Sequence, residues 1–226
     1  MSATAARRVR VKICGITNPA DADDAVALGA DALGFNVYAG SKRFVDLEKA
    51  GGWIRELPPF VSKVAVMVNP SIAEAEAVFK MPFIDAVQFH GNEEPEFCAH
   101  FAKLGLPFIK AVAVRDAASL ENLGRFGTRD ILADAFVPGE FGGTGRMIDA
   151  GLLENFPAVG GSGLRLILSG GLKPDNVSAA IARARPYAVD VASGVESAPG
   201  RKDPALVEAF IAAVRTADDG GILNRR

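Results

Sequence analysis

Cysteine and histidine are scarce in this chain, with two of each in 226 residues. Cys14 closes an apolar run and Cys98 lies in a helical stretch. Neither belongs to a CxxC pair or to a Cys/His cluster with metal spacing, which excludes a disulfide framework and a zinc site. No run of about 18 or more apolar residues occurs, so no membrane-spanning helix is encoded. The start "MSATAARRVR" has no apolar stretch of signal-peptide length after its arginines. A reducing, cytoplasmic setting is expected, in which a free thiol persists. The chain also lacks a strong charge of either sign: its net charge is −2 and its isoelectric point about 5.8. That excludes the basic field that attracts nucleic acid, and a small anionic ligand would need local positive groups. "GGSGLR" is glycine-rich but precedes a strand, whereas a dinucleotide loop follows a strand and opens a helix. No cofactor is called for.

What the sequence does have is alternation. The β-branched runs "VRVKIC", "ALGFNV", "VSKVAVMV", "FIDAVQF", "PFIKAVAV", "RDILADA", "RLILSG" and "AVDVASG" read as strands. Each is followed by residues whose apolar members return every three to four positions. The helical stretches are 21–28, 47–57, 72–80, 95–104, 117–123, a short one near 148–154, 176–183 and 205–216. Parallel neighbours need crossover connections, and eight strand–helix units in one chain of this length predict a single (β/α)8 TIM barrel, α/β in class. The domain spans 1–226, with a core of about 9–216 and a flexible tail at 217–226. A monomer is expected.

In such a barrel the chemistry sits at the carboxyl ends of the strands. Those ends carry Cys14; Lys42 and Arg43 in "YAGSKRFV"; Gln88 and His90; Arg115; Asp134 and the loop "PGEFGGTGR"; "SGGLKPDN"; and Asp190 with "SGVES". Gly170 and Gly171 stand between a strand and a helix, where backbone N–H groups can close on phosphate oxygens. Ser193 and Gly194 in the next loop would complete such a phosphate site. No comparable glycine pair follows strands three or four, which predicts one phosphate on the ligand.

Each candidate has a plainer reading. Cys14 can be core filler, Asp134 a cap for the loop that follows, His90 a satisfied core histidine, and Arg43 a surface partner of Asp46. Asp190, alternating with Val189 and Val191, faces either the barrel interior or the helical layer. The glycines of "GEFGGTGR", among them Gly142 and Gly143, make either a plain loop or a lid that contacts substrate.

Taken together, "KICGIT", "GADALGF", "SKRFV", "DAVQFHG", "LADA", "GEFGGTGR", "SGGLKPDNV" and "VDVASGVESAPGRKD" resemble, in order, the motifs of the phosphoribosylanthranilate isomerase family of tryptophan biosynthesis. The resemblance runs from about Val11 to Val214. It implies an Amadori rearrangement without a cofactor, with Cys14 as general base and Asp134 as general acid. It further implies that Arg43 meets the anthranilate carboxylate, that Asp190 helps hold the opening sugar and that the glycine loops bind phosphate. An aspartate can act as the acid only while it carries a proton, which burial favours, and cations near a thiol enlarge its thiolate fraction. Two departures stand out. Ala192 and Ser193 replace the family's frequent serine pair, and Arg146 stands where a lysine is usual. The rival readings are the aminoaldose isomerase of histidine biosynthesis, which would need an aspartate at Cys14, and a noncatalytic phosphate-binding barrel.

Overall fold

The computed structural model describes residues 8–135, 148, 150–153, 156 and 163–223. Eight parallel strands close a barrel in sequence order: β1 (Arg10–Cys14), β2 (Ala32–Asn36), β3 (Ser62–Met67), β4 (Ala86–Phe89), β5 (Phe108–Val114), β6 (Asp130–Ala135), β7 (Arg165–Leu168) and β8 (Ala188–Val191). All eight expected strands are present, and β1 pairs with β8 in register, Lys12 opposite Asp190. Alternation sends one set of side chains outward to the helices and the other into the barrel. Ala111, Leu132, Ile167 and Ala188 fill the lumen below the mouth. Val11, Ile13, Phe35 and Phe89 belong to the larger core under the helices. Phe89 packs there against Phe97, Phe101 and Phe108, with ring centroids 5.1 to 5.4 Å apart.

Outside lie α1 (Pro19–Leu28), α2 (Leu47–Arg55), α3 (Ile72–Phe79), α4 (Pro95–Lys103), α5 (Ala150–Leu153), α6 (Val177–Ala184) and α7 (Pro204–Leu223). Their starts are fixed locally. Asn18 accepts from the Asp21 N–H, Asp46 from Glu48 and Lys49, and Ser71 with Glu74 forms a reciprocal cap.

The structure differs from the sequence reading in three places. The helix expected at 117–123 is two short 3-10 turns, Ala117–Leu120 and Leu123–Phe126. The buried residues there, Leu120, Leu123 and Phe126, recur every three positions, the period of a 3-10 helix, and Asn122 breaks the run with a φ of 51°. A two-stranded ribbon, β9 (Glu196–Ala198) and β10 (Arg201–Lys202), follows β8 and was not expected. Finally, the last helix continues past Thr216 to Leu223, seven residues beyond the expected helix end.

Candidate active site

A cavity of about 730 Å³ opens at the carboxyl ends of the strands. Cys14, Arg43, His90, Asp134, Ser169, Gly170, Gly171, Asp190, Ser193 and Gly194 all contribute to its walls. A smaller cavity of about 410 Å³, beside Arg8, Asp31 and Arg215, holds none of the candidate residues. Arg115 does not line the larger cavity, and Gly142, Gly143 and Arg146 lie outside the described residues.

Asp134 ends β6 pointing inward and is buried. Its Oδ1 accepts the Ala135 N–H at 2.9 Å, and its Oδ2 lies 3.2 Å from His90 Nε2. His90 Nδ1 is in turn 2.6 Å from Gln88 Nε2. Gln88 on β4 and His90, the residue just past its end, are two apart and share the inward face. His90 thus bridges the Gln88 amide and the Asp134 carboxyl group. The carboxyl group is thereby held from two sides, by the Ala135 backbone and by His90.

Cys14 ends β1, open to the cavity while the protein encloses it on its other sides. Burial pushes its thiol above the ordinary range, against the opposing pull of Lys12 and Lys202. This corrects the expectation that neighbouring cations would enlarge the thiolate fraction: the desolvation cost of a buried anion is the larger effect here.

Asp190 faces the interior and not the helical layer. Its Oδ1 accepts from Lys12 Nζ at 2.6 Å and its Oδ2 from the Ser169 hydroxyl at 3.4 Å. Lys12 was missed in the sequence reading, although the alternation argument that singled out Asp190 applies equally to a lysine between Val11 and Ile13.

Arg43 does not pair with Asp46, which instead caps α2 and binds Lys49 at 2.9 Å. The Arg43 guanidinium crosses to Glu196, donating from Nε and Nη2 at 2.7 Å each. These bonds hold its proton more firmly than usual and leave the Nη1 side, among the described residues, open to another planar anion. Lys202 Nζ donates to the same carboxylate at 2.8 Å and to the Ala192 carbonyl at 3.2 Å. Burial works to raise the Glu196 carboxyl, but the bonds from Arg43 and Lys202 outweigh it and hold it low. Glu196 and Lys202 were also missed, because the β9–β10 ribbon that carries them was read as loop.

The two glycine loops meet over the far side of the mouth. Gly170 and Gly171 have φ of 87° and 61°, and the Asn176 side chain pins their turn by donating to the Gly171 carbonyl at 3.0 Å. A Cβ on Gly194 would stand 1.9 Å from the Leu172 carbonyl oxygen, so the two loops touch backbone to backbone. Such closely packed glycine loops suit a phosphate group, which needs N–H donors without intervening side chains. Among the described residues, no group of three His, Cys, Asp or Glu side chains is placed to hold a metal ion. No helix among them is long and apolar enough to cross a membrane.

The chain is similar to known proteins along most of its length. Residues 11–213 match the family model for N-(5'-phosphoribosyl)anthranilate (PRA) isomerase. The chain is 48% identical over 211 residues to the N-(5'-phosphoribosyl)anthranilate isomerase of Pseudomonas putida, covering 92% of this chain and 98% of that one. It superposes on phosphoribosyl anthranilate isomerase from Thermotoga maritima with a TM-score of 0.83 at 41% identity, over 92% and 99% of the two chains. A phosphoribosyl anthranilate isomerase in complex with reduced 1-(o-carboxyphenylamino)-1-deoxyribulose 5-phosphate matches with a TM-score of 0.80 at 40% identity, over the same shares. The chain belongs to the N-(5'-phosphoribosyl)anthranilate isomerase family.

Proposed function

We propose that this chain rearranges N-(5'-phosphoribosyl)anthranilate to 1-(2-carboxyphenylamino)-1-deoxyribulose 5-phosphate, with Asp134 as general acid and Cys14 as general base. The observation that carries the reading is that both groups line one cavity, together with the two glycine loops and Arg43. Asp134 gives its proton to the furanose oxygen as the ring opens to an iminium ion. The Cys14 thiolate then takes the proton from the neighbouring ribose carbon; the C–H electron pair becomes the C1=C2 double bond and the C=N π pair moves onto nitrogen, giving the enol-amine, which tautomerises to the ketose. At the end of a cycle Cys14 holds a proton and Asp134 lacks one, so a single proton passed through solvent restores the pair.

Binding supplies orientation. Gly170, Gly171, Ser193 and Gly194 hold the phosphate, and the free side of Arg43 holds the anthranilate carboxylate. Asp190 faces the sugar between them, and Gly142 and Gly143 of the loop after β6 contact the substrate. Fixing both ends of the substrate places its reacting carbons between acid and base. Ala192 contributes only backbone, consistent with its carbonyl holding Lys202. The reaction belongs in a reducing, cytoplasmic setting, where Cys14 remains a thiol, and the acting species is a monomer. Sedimentation equilibrium tests the last point, and a dimer mass would overturn it.

The purified chain is offered N-(5'-phosphoribosyl)anthranilate and, separately, the aminoaldose of histidine biosynthesis. Loss of anthranilate fluorescence with the first alone is expected, and about a hundredfold or greater fall in kcat on Asp134→Ala. Tight phosphate-ligand binding without turnover would favour the noncatalytic reading, and turnover of the second substrate would extend the function to it.

A further inference from the structure

Lys12 is an expensive residue where it stands. Its side chain is 5% exposed, in the layer of the barrel just beneath the mouth. A buried ion pair such as Lys12–Asp190 adds little stability that apolar side chains of the same volume would not. The pair therefore calls for a reason beyond packing, and the neighbouring side chain supplies one. Lys12 and Cys14 are two apart on β1, so both point inward, and Lys12 Nζ, held by Asp190 at 2.6 Å, shares one pocket with the Cys14 sulfur. Opposite Cys14 in the register stands Gly34. A Cβ there would lie 2.7 Å from Cys14 Sγ and 3.0 Å from Lys12 Nζ, so the missing side chain is the space that the sulfur and the ammonium share.

The other charges around Cys14 are committed elsewhere. Arg43, from the loop after β2, spends Nε and Nη2 on Glu196. Lys202, from β10, is bound to Glu196 and the Ala192 carbonyl. Asp190, from β8, is held by Lys12 and Ser169. Three cations thus face two carboxylates, so the surroundings of Cys14 carry a net positive charge that can offset a thiolate formed there. We propose that Lys12, fixed in place by Asp190, is a positioning residue for the reaction: it orients the Cys14 sulfur and serves as counter-ion to its thiolate. The inference rests on Cys14 being the base and adds how a buried sulfur is kept usable as one.

The test reads the thiol directly. Iodoacetamide alkylation is followed against pH, with Cys14→Ser giving the background from Cys98, whose thiol burial pushes up to about 11. Lys12→Met should raise the alkylation midpoint by about one pH unit or more and cut the rate at pH 8 about tenfold, with a similar fall in kcat. That variant leaves Asp190 buried without its partner and could fail to fold. In the pair Asp190→Asn and Lys12→Met/Asp190→Asn no carboxylate is left unpaired, and the single variant keeps an amide oxygen as acceptor for the Lys12 ammonium, with the fold of both checked by circular dichroism. The double variant should have a midpoint at least about one unit above the single one. Equal midpoints would overturn the inference, whatever happens to turnover. Near-normal turnover by Cys14→Ala would instead overturn the assignment of the base and leave the Lys12 contact standing.

Discussion

Gly194→Ala should damage the phosphate site without unfolding the barrel. The new methyl carbon would stand 1.9 Å from the Leu172 carbonyl oxygen and 3.2 Å from Lys173 Cγ. The Lys173 side chain can turn away, but the carbonyl is backbone, in a turn already tied by Asn176 to the Lys173 N–H and the Gly171 carbonyl. Restoring ordinary contact requires the two loops to part by about 1.5 Å. A displacement of about 1 Å at a positioning site costs on the order of a hundredfold, and each charge-assisted bond lost to phosphate about 1.5–3 kcal/mol. The expected result is a fall in kcat/KM of about a hundredfold, with inorganic phosphate weakened as a competitive inhibitor by tenfold or more. The melting temperature should drop only modestly, since Gly194 lies at the rim and not in the core. An unchanged inhibition constant for phosphate beside a normal kcat/KM would refute the placement of phosphate in these loops. A collapse in melting temperature would show that the loop contact is structural.

Two further predictions concern the pH profile and the scaffold. The active form, with a proton on Asp134 and none on Cys14, has the same proton count as thiol plus carboxylate. Activity therefore declines in alkali only when the pair loses its last proton. Because burial raises the Cys14 thiol, the alkaline fall of kcat/KM should begin above about pH 8.5, the ordinary thiol value; a decline centred below pH 8 would contradict this. Lys110 Nζ donates at 2.8 Å to Glu93, to the Gly91 carbonyl and to the Ala111 carbonyl, in a site almost closed to water. Lys110→Met should cost about 3–5 kcal/mol by leaving Glu93 unpaired, measured by urea unfolding, and a loss below about 1 kcal/mol would show the pair to be dispensable.

Much of this architecture is legible from the residues because the barrel enforces a period of two. Apolar neighbours such as Val189 and Val191 mark Asp190 as facing the other way, and the position of each polar residue at a strand end places it at the mouth. The same rule would have found Lys12, which is flanked by Val11 and Ile13. What sequence could not supply was pairing across elements far apart in the chain. Arg43 and Glu196 are 153 positions apart, and their contact depends on the ribbon after β8 folding back over β1. Local spacing suggested Asp46 for Arg43, but Asp46 was already engaged by the start of α2. The balance at Cys14 was likewise hidden: the sequence shows cations near a thiol, but only the enclosing walls reveal that desolvation outweighs them. His90 joins Asp134 across 44 positions, so its part in holding the acid follows from the closed barrel and not from "QFHG".

The most direct test of the central claim is a single-turnover measurement of anthranilate fluorescence with enzyme in excess over freshly made N-(5'-phosphoribosyl)anthranilate, comparing wild type with Cys14→Ser and Asp134→Asn. Rapid decay by the wild type and a slowing of about a hundredfold or more in each variant, with substrate still bound, is the result predicted. Decay at the wild-type rate in either variant would remove that residue from the chemistry and send the search for its replacement to the other polar groups of the same cavity.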